Sequence, residues 1–157
     1  FPMSFQISSL PSAKFSHLFG KSDDELRAEG VVVKTADSKP GFPCRVTLQD
    51  AEPGTRMLLL NFEHQDAQTP YRSSHAIFVI DGAESAALAP GEVPEQLRSR
   101  LLSVRAFSAD GMLLDANVVE GAGAADLFER MLRNKRAAYL HVHFAKFGCY
   151  AARVDRA

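Results

Sequence analysis

The chain lacks the cysteines of a disulfide-stabilised protein, because only Cys44 and Cys149 occur among its 157 residues. Small secreted domains that depend on disulfides contain many more, so this count favours a reducing compartment. The start of the chain also lacks the basic segment followed by an apolar segment that a secretory signal would show. We therefore predict a cytoplasmic protein whose two thiols are reduced and not bridged to each other.

Long apolar runs and an excess of positive charge are absent as well. The longest apolar runs, such as residues 57–60 and 76–80, are far shorter than the about 20 residues that a membrane-spanning helix needs. Lysine and arginine number 18 against 19 acidic residues, so the formal net charge is -1. A protein that binds a phosphate backbone usually carries a basic surplus. We therefore expect neither a membrane nor a nucleic acid as a partner, and the oligomeric state stays open.

Several motifs that would identify an activity are missing. The pair Gly121 and Gly123 lacks the remaining glycine of a dinucleotide-binding loop, so no dinucleotide cofactor is predicted. The chain contains neither Cys-x-x-Cys nor His-Glu-x-x-His, the patterns of well-defined zinc sites. The acidic run at residues 23–25 is better explained by capping of a helix than by a pair of catalytic carboxylates.

What is present is an ordinary globular composition, with 46% apolar and 24% charged residues. The length fits one domain, which we predict over residues 3–157. Segments rich in β-branched and aromatic residues, bounded by turn residues, predict strands. These segments are residues 31–35, 45–48, 56–63, 74–80, 101–107, 112–119, 138–144 and 150–154. Turn residues at 50–54 and 109–111 predict hairpins.

One long amphipathic helix is predicted late in the chain. Apolar residues at positions 124, 127, 128, 131 and 132 recur with helical spacing, so one face of a helix over residues 124–133 should pack on a sheet. Ser22 and Glu25 have the spacing of a capping box that opens a short helix, and residues 12–19 resemble one or two helical turns. Pro94 begins a third candidate helix. The predicted fold class is therefore α+β, a mainly antiparallel sheet with one long amphipathic helix packed on a face and short N-terminal helices.

The candidate chemistry is concentrated in a predicted strand near the C-terminus. Because side chains alternate along a strand, Tyr139, His141 and His143 share one face, opposite Leu140, Val142 and Phe144, which we expect to face the core. That histidine face is either solvated or lines a polar pocket. Two imidazoles on one face can hold zinc or another divalent metal only with a third donor. The donors available are His64, His75 and a thiolate such as that of Cys149, and the ordinary alternative of hydrogen-bonded histidines is favoured over a metal.

The cysteines and several arginines are further candidates. Cys44 and Cys149 each follow a glycine-containing turn with a lysine close upstream, an arrangement that can activate a thiol, although a free cysteine usually behaves as a small buried hydrophobe. Four arginines lie within or just before predicted strands, and we expect them on the solvated face. They are Arg45, Arg72, Arg105 and Arg153. Arg72, together with the serines and histidine of residues 73–75, could bind a carboxylate or phosphate.

Six blocks of the sequence carry a resemblance to a known family. They are KPGFPCRV at residues 39–46, DAEPG at 50–54, LLLNFEH at 58–64, TPYRSSHAIFV at 69–79, RAF at 105–107 and GCYAAR at 148–153. Together they span nearly the whole chain and resemble the bacterial domain-of-unknown-function family numbered twelve hundred and three. The resemblance implies a bacterial cytosolic protein of one domain, and it implies no activity, cofactor or catalytic residue.

These observations favour a small-molecule-binding protein or enzyme with a polar pocket at the strand ends. The predicted pocket is lined by Cys44, His64, Arg72, His75, His141, His143 and Cys149. A small anionic molecule is the expected ligand, and whether the protein is an enzyme stays open. The alternative is a non-catalytic structural or protein-interaction module whose polar residues cover a solvated sheet face. A structure distinguishes the two hypotheses, because the first requires these side chains to converge and the second disperses them.

Overall fold

The computed structural model describes residues 4–157, in which eight strands account for most of the regular structure. Residue 3, where the predicted domain begins, lies outside the described residues. The strands are β1 (Phe5–Ser8), β2 (Val32–Thr35), β3 (Arg56–Gln65), β4 (Ser73–Ile80), β5 (Leu101–Phe107), β6 (Leu113–Glu120), β7 (Tyr139–Phe144) and β8 (Tyr150–Arg156). The helices are short. They are α1 (Asp23–Ala28), α2 (Glu95–Arg98) and α3 (Ala124–Leu132), with 3₁₀ turns at Ser12–Lys14, Ser16–Leu18 and Gly121–Gly123.

The strands form two antiparallel sheets. A five-stranded sheet has the order β1-β8-β7-β5-β6, and a three-stranded sheet has the order β2-β3-β4. The first strand of the chain pairs with the last, so that Phe5 lies opposite Arg156 and Ile7 opposite Val154. The β5–β6 hairpin turns at residues 108–112, where the sequence predicts it.

The predicted α+β fold with one long amphipathic helix is wrong, because the chain is mainly β with small helices. The predicted helix over residues 124–133 is the nine-residue α3, preceded by a single 3₁₀ turn. Its apolar stripe is nevertheless buried, including Leu127 and Phe128. A helix of under three turns covers only part of a sheet. Loop residues such as Leu48, Leu88 and Val93 also pack against this face.

Two hydrophobic clusters follow this division. One joins α3 to the five-stranded sheet, and the ring of Phe5 on β1 packs edge-on against that of Phe128 with centroids 5.3 Å apart. The other joins the three-stranded sheet to the N-terminal helical turns and includes Leu26 of α1 and Tyr150 of β8. Tyr150 thus belongs to the five-stranded sheet by its backbone and to the other cluster by its side chain. The two sheets therefore meet at Tyr150.

The strand predicted at residues 45–48, which follow the cis Lys39–Pro40 peptide bond, does not form. Residues 45–48 form a turn in which Leu48 has a φ of 55°. The backbone of this segment is still anchored, because the amide of Arg45 donates to the carbonyl of Phe78 at 3.0 Å. The turn buries Arg45 to 2% exposure, so the expectation that this arginine is solvated is wrong.

The short helix that the capping box of Ser22 and Glu25 predicts is confirmed. α1 spans Asp23–Ala28, and Ser22 caps it with both hydrogen bonds of a capping box. Within residues 4–157, no helix is both long and apolar enough to cross a membrane.

Candidate functional site

Both faces of β7 are buried, and the histidine face lies between the two sheets. Leu140, Val142 and Phe144 pack in the cluster that contains α3. His141 and His143, on the opposite face, are only 3% and 1% exposed. The hypothesis of a solvated histidine face is therefore wrong, and the imidazoles lie in a closed polar layer.

The three-stranded sheet contributes two more histidines to this layer. His64 is near the end of β3, beside a β-bulge between Glu63 and Gln65, and His75 is on β4. The ring of His64 lies 4.8 Å from that of His75 and 5.0 Å from that of His143, measured between centroids. It lies 6.0 Å from the ring of His141. Four of the five histidines thus meet where the sheets face each other.

Three of these imidazoles are close enough to share an ion. One ring nitrogen from each of His64, His141 and His143 lies within 4.8 Å of the corresponding nitrogens of the other two. Imidazole nitrogen is a common ligand of zinc and other first-row transition metals. The arrangement therefore has the donor type and number of a three-histidine metal site.

The hydrogen bonds of His143 define its tautomer. Its Nδ1 lies 2.9 Å from the carbonyl oxygen of Gly148, which can only accept, so Nδ1 carries the proton. In the neutral ring Nε2 then has a free lone pair, and Arg105 Nη1 donates to it over 3.3 Å. A histidine whose Nδ1–H is fixed by a backbone carbonyl presents Nε2 in the form that a metal requires.

Two ring nitrogens in the cluster are buried and have no hydrogen-bond partner among residues 4–157. They are Nδ1 of His64 and Nδ1 of His141. The other nitrogen of His64, Nε2, lies 2.6 Å from Nδ1 of His75 and 3.1 Å from Oγ of Ser73. Buried polar atoms are nearly always hydrogen-bonded, and an exception indicates strain, a missing water or a ligand. These two nitrogens are therefore candidate ligand atoms.

Burial holds the clustered histidines in the neutral form. It lowers the pKa of His141 and of His143 to about 3, and neighbouring Arg105 and His64 act in the same direction. Burial, followed by the nearby His75 and Arg105, lowers the pKa of His64 to about 4. The pKa of His75 is also lowered, mainly by burial. Neutral imidazoles are the form that binds a metal, so no proton has to be displaced at neutral pH.

A cavity of about 300 Å³ opens beside His64 and His143. Its walls combine cations, hydroxyl groups and apolar side chains. They are formed by Gln65, Pro70, Tyr71, Arg72, Ser73, Arg105, Phe107 and Leu113 together with the two histidines. Arg72 at this cavity is exposed and donates to Glu63 Oε2 over 2.9 Å. Arg105 also lines the cavity, and its guanidinium forms no ion pair with a carboxylate among residues 4–157.

The residues predicted for the pocket are distributed over three places. His64, His75, His141 and His143 converge, and Arg72 lines the adjoining cavity. Cys149 is half-buried beside Arg45, whose Nη2 donates to its Sγ over 3.0 Å. Cys44 is fully buried in the hydrophobic cluster of the three-stranded sheet, where its Sγ accepts from the amides of Thr47 and Ile80. Both cysteines are free.

Sequence reasoning missed two contributors to the site, Arg105 and Tyr150. The ring of Tyr150 stacks on His64 and contacts His141 and His143 edge-on. Arg105 lies directly opposite His141 across the β5–β7 ladder. Its signal in the sequence is a single cation inside an apolar strand, which does not distinguish a solvated arginine from one that lines a site.

A model of a family described as "Protein of unknown function (DUF1203)" matches residues 41–156. The matched segment includes all four clustered histidines as well as Arg105 and Tyr150. Comparison with curated proteins and with solved structures gives no match.

Proposed function

Because the chain belongs to this family of unknown function, whose description names no activity, we propose a function from the site itself: the protein binds a divalent transition metal ion such as zinc through His64, His141 and His143. One observation carries the proposal. Three neutral imidazoles, those of buried His141 and His143 and of half-buried His64, converge within 4.8 Å, and two of their ring nitrogens have no partner among the described residues. Buried ring nitrogens without a hydrogen-bond partner reduce the stability of the folded protein, and a bound metal ion would remove that cost.

The distances require only a small contraction around an ion. Zinc binds imidazole nitrogen at about 2.1 Å, so nitrogens in a tetrahedral site are about 3.4 Å apart. The ring nitrogens are up to 4.8 Å apart in the structure. A shift of each ring by about 1 Å, through small rotations about its side-chain torsions, would bring them to the tetrahedral spacing. The carbonyl of Gly148 already orients His143, which supports a preformed site.

Arg105 must move for the metal to bind. Its Nη1 donates to Nε2 of His143, the lone pair that the metal would use. The cavity of about 300 Å³ that Arg105 lines gives the guanidinium room to turn away. Burial lowers the pKa of Arg105, yet an arginine remains protonated in proteins, so the group stays a cation beside the ion.

The charges at the site favour an anionic molecule as the fourth ligand. Three histidines leave a tetrahedral metal with one position for water or substrate. His64 and His143 line the cavity, so that position would face Arg105 and the hydroxyl group of Ser73. A cation and a metal together favour a carboxylate or phosphate group. We therefore propose a small anionic molecule as the ligand of the metal.

A structural role is the second candidate, and one observation favours it. Nε2 of His64 and Nδ1 of His75 are 2.6 Å apart, and His64 also stacks on Tyr150, so the cluster links the two sheets without a metal. In this alternative the histidines form a hydrogen-bonded layer, and the protein is a non-catalytic module.

Metal analysis of the purified protein distinguishes the two candidates. Protein expressed with zinc and dialysed should retain about one equivalent by mass spectrometry, and cobalt substitution should give visible absorption typical of a four- or five-coordinate site. Replacing His141 and His143 by glutamine should abolish both signals. Replacing the exposed His17 by glutamine is the matched control, because it removes a histidine outside the cluster. Retention of metal by the double variant, or absence of metal in the unaltered protein, would refute the proposal.

A further inference from the structure

A second and larger cavity, which His75 lines, has a volume of about 940 Å³. This volume is within the range of small-molecule sites, about 300 to 1,000 Å³. Most of its surface is apolar. The apolar walls are formed by Pro43, Leu59, Ala76, Phe78, Leu101, Phe144 and Phe147. Phe147 is 79% exposed and Leu101 is 43% exposed, so the cavity carries exposed apolar surface that a bound ligand would cover.

The charged residues of this cavity are all cations. They are Arg45, Arg100 and Lys146, and no acidic residue lines it. Arg100 is neutralised by Asp50, to which it donates two hydrogen bonds of 2.7 and 3.0 Å. Within residues 4–157, neither Arg45 nor Lys146 forms an ion pair. The cavity therefore has a surplus of positive charge.

Arg45 is the unusual member of this set because it is almost completely buried. Its guanidinium donates to the carbonyl oxygens of Tyr150 and Pro43 and to Sγ of Cys149. These three bonds use three of its five N–H donors, and none of the acceptors is a carboxylate. The ring of Phe144, whose centroid is 5.0 Å away, compensates the charge only in part. A buried cation without a counterion is strongly unfavourable, so an anion in the cavity would stabilise the folded protein.

We propose that this cavity binds an apolar monocarboxylate. The carboxylate contacts Arg45 and Lys146, and the hydrocarbon part packs on the apolar walls and under Phe147. Guanidinium and carboxylate groups match in geometry, and one carboxylate would neutralise Arg45, the buried cation that has no carboxylate partner in the described chain. The proposal does not require the metal, because none of the three proposed metal ligands, His64, His141 and His143, lines this cavity; His75 is the one clustered histidine that does.

Cys149 provides a local reporter of this site. It lines the cavity and is half-buried, whereas Cys44 is fully buried elsewhere. Neutral iodoacetamide should therefore alkylate Cys149 first, and mass spectrometry of the intact chain should follow the rate. Saturating decanoate should slow this alkylation by about tenfold, whereas decanol, which has the same chain without the charge, should bind at least about tenfold more weakly. The aromatic acid 2-naphthoate tests whether the occupant is a chain or a ring.

Titration calorimetry with variants completes the test. Lys146→Gln changes an exposed residue and should weaken decanoate binding about fivefold while leaving decanol binding unchanged. The exposed Lys135, which is outside the cavity, provides the control Lys135→Gln. The His141→Gln/His143→Gln variant should bind decanoate as the unaltered protein does, which separates this proposal from the metal site. Equal binding of acid and alcohol, unprotected Cys149, or an unchanged affinity in Lys146→Gln would overturn the proposal.

Discussion

The rings of His64 and Tyr150 stack face to face, with centroids 5.0 Å apart and planes inclined by 10°. His64 belongs to β3 of the three-stranded sheet and Tyr150 to β8 of the five-stranded sheet. The contact therefore spans the two sheets at the site where the other clustered histidines also meet. The two stacked rings form one side of the candidate site.

Removing the ring of Tyr150 should destabilise the protein strongly. Tyr150 is 3% exposed, so Tyr150→Ala should lower the free energy of unfolding by about 3 kcal/mol. Tyr71 is 40% exposed, and Tyr71→Ala is the control, with an expected loss below about 1 kcal/mol. Urea unfolding followed by circular dichroism measures both. Equal losses in the two variants would show that the stacked pair does not hold the sheets together.

Acid should destabilise the metal-free protein through its buried histidines. The pKa of His141 and His143 is about 3 in the folded chain, whereas an unfolded histidine has a value of 6.5. Below pH 6.5 the unfolded chain thus binds protons that the folded chain does not, so stability falls as the pH falls from 6.5 towards 3. Each residue contributes a slope of about 1.4 kcal/mol per pH unit in this window.

The measurement is urea unfolding in EDTA between about pH 7.5 and about pH 5. The His141→Gln/His143→Gln variant keeps all carboxylates, so the difference between its slope and that of the unaltered protein isolates the histidines. We expect the slope of the variant to be shallower by up to about 2.7 kcal/mol per pH unit. Parallel slopes would mean that these imidazoles accept protons in the folded state.

Gly121 should tolerate no side chain. A Cβ atom at this position would lie 1.9 Å from the carbonyl oxygen of Leu97 and 2.7 Å from the carbonyl carbon of Arg98. Both atoms are backbone, so the clash can be relieved only by separating α2 from the turn that precedes α3. Gly121→Ala should therefore cost more than about 2 kcal/mol of stability. At Gly123 the nearest atom would be Val119 Cγ2 at 3.5 Å, an ordinary contact, and Gly123→Ala should change stability by less than about 1 kcal/mol.

The ion pair between Arg100 and Asp50 should contribute more to the free energy of unfolding than the surface ion pairs do. Its side chains are 20% and 9% exposed, and the contact is bidentate. Asp50→Asn should cost about 2 kcal/mol, because the guanidinium keeps its charge and loses its carboxylate. Asp24 pairs with Arg27 at the surface, where the two side chains are 93% and 76% exposed, so Asp24→Asn should cost less than about 0.5 kcal/mol. Thermal melting of the two variants provides the comparison, and similar melting temperatures would contradict it.

Local patterns predicted the local elements of this fold. The capping box of Ser22 and Glu25, the turn at residues 109–111 and the apolar stripe of α3 each depend on residues within about two helical turns of one another. The short β1 and the division into two sheets depend on contacts distant in sequence, such as that of Phe5 with Phe128. No periodicity in a short segment encodes such contacts. The helix predicted at residues 124–133 is short, the strand predicted at residues 45–48 is a turn, and β1 has no predicted counterpart.

The candidate site shows the same limit. Strand alternation placed His141 and His143 on one face of β7, but it could not tell what covers that face. The answer depends on the second sheet, which brings His64 and His75 from residues more than 60 positions earlier. Burial of Arg45 escaped prediction because residues 45–48 form a turn instead of a strand. The function of the histidine cluster is accordingly a proposal from geometry.

The pairing of β1 with β8 has a consequence for the segment that the family model matches. That segment, residues 41–156, includes β8 but not β1. A chain shortened to it would leave the amide and carbonyl groups along one side of β8 without a neighbouring strand. Such an open edge can recruit the same strand from another molecule. Residues 5–8 therefore cover the side of β8 that the matched segment alone would leave open, and the short β1 becomes the edge strand of the sheet.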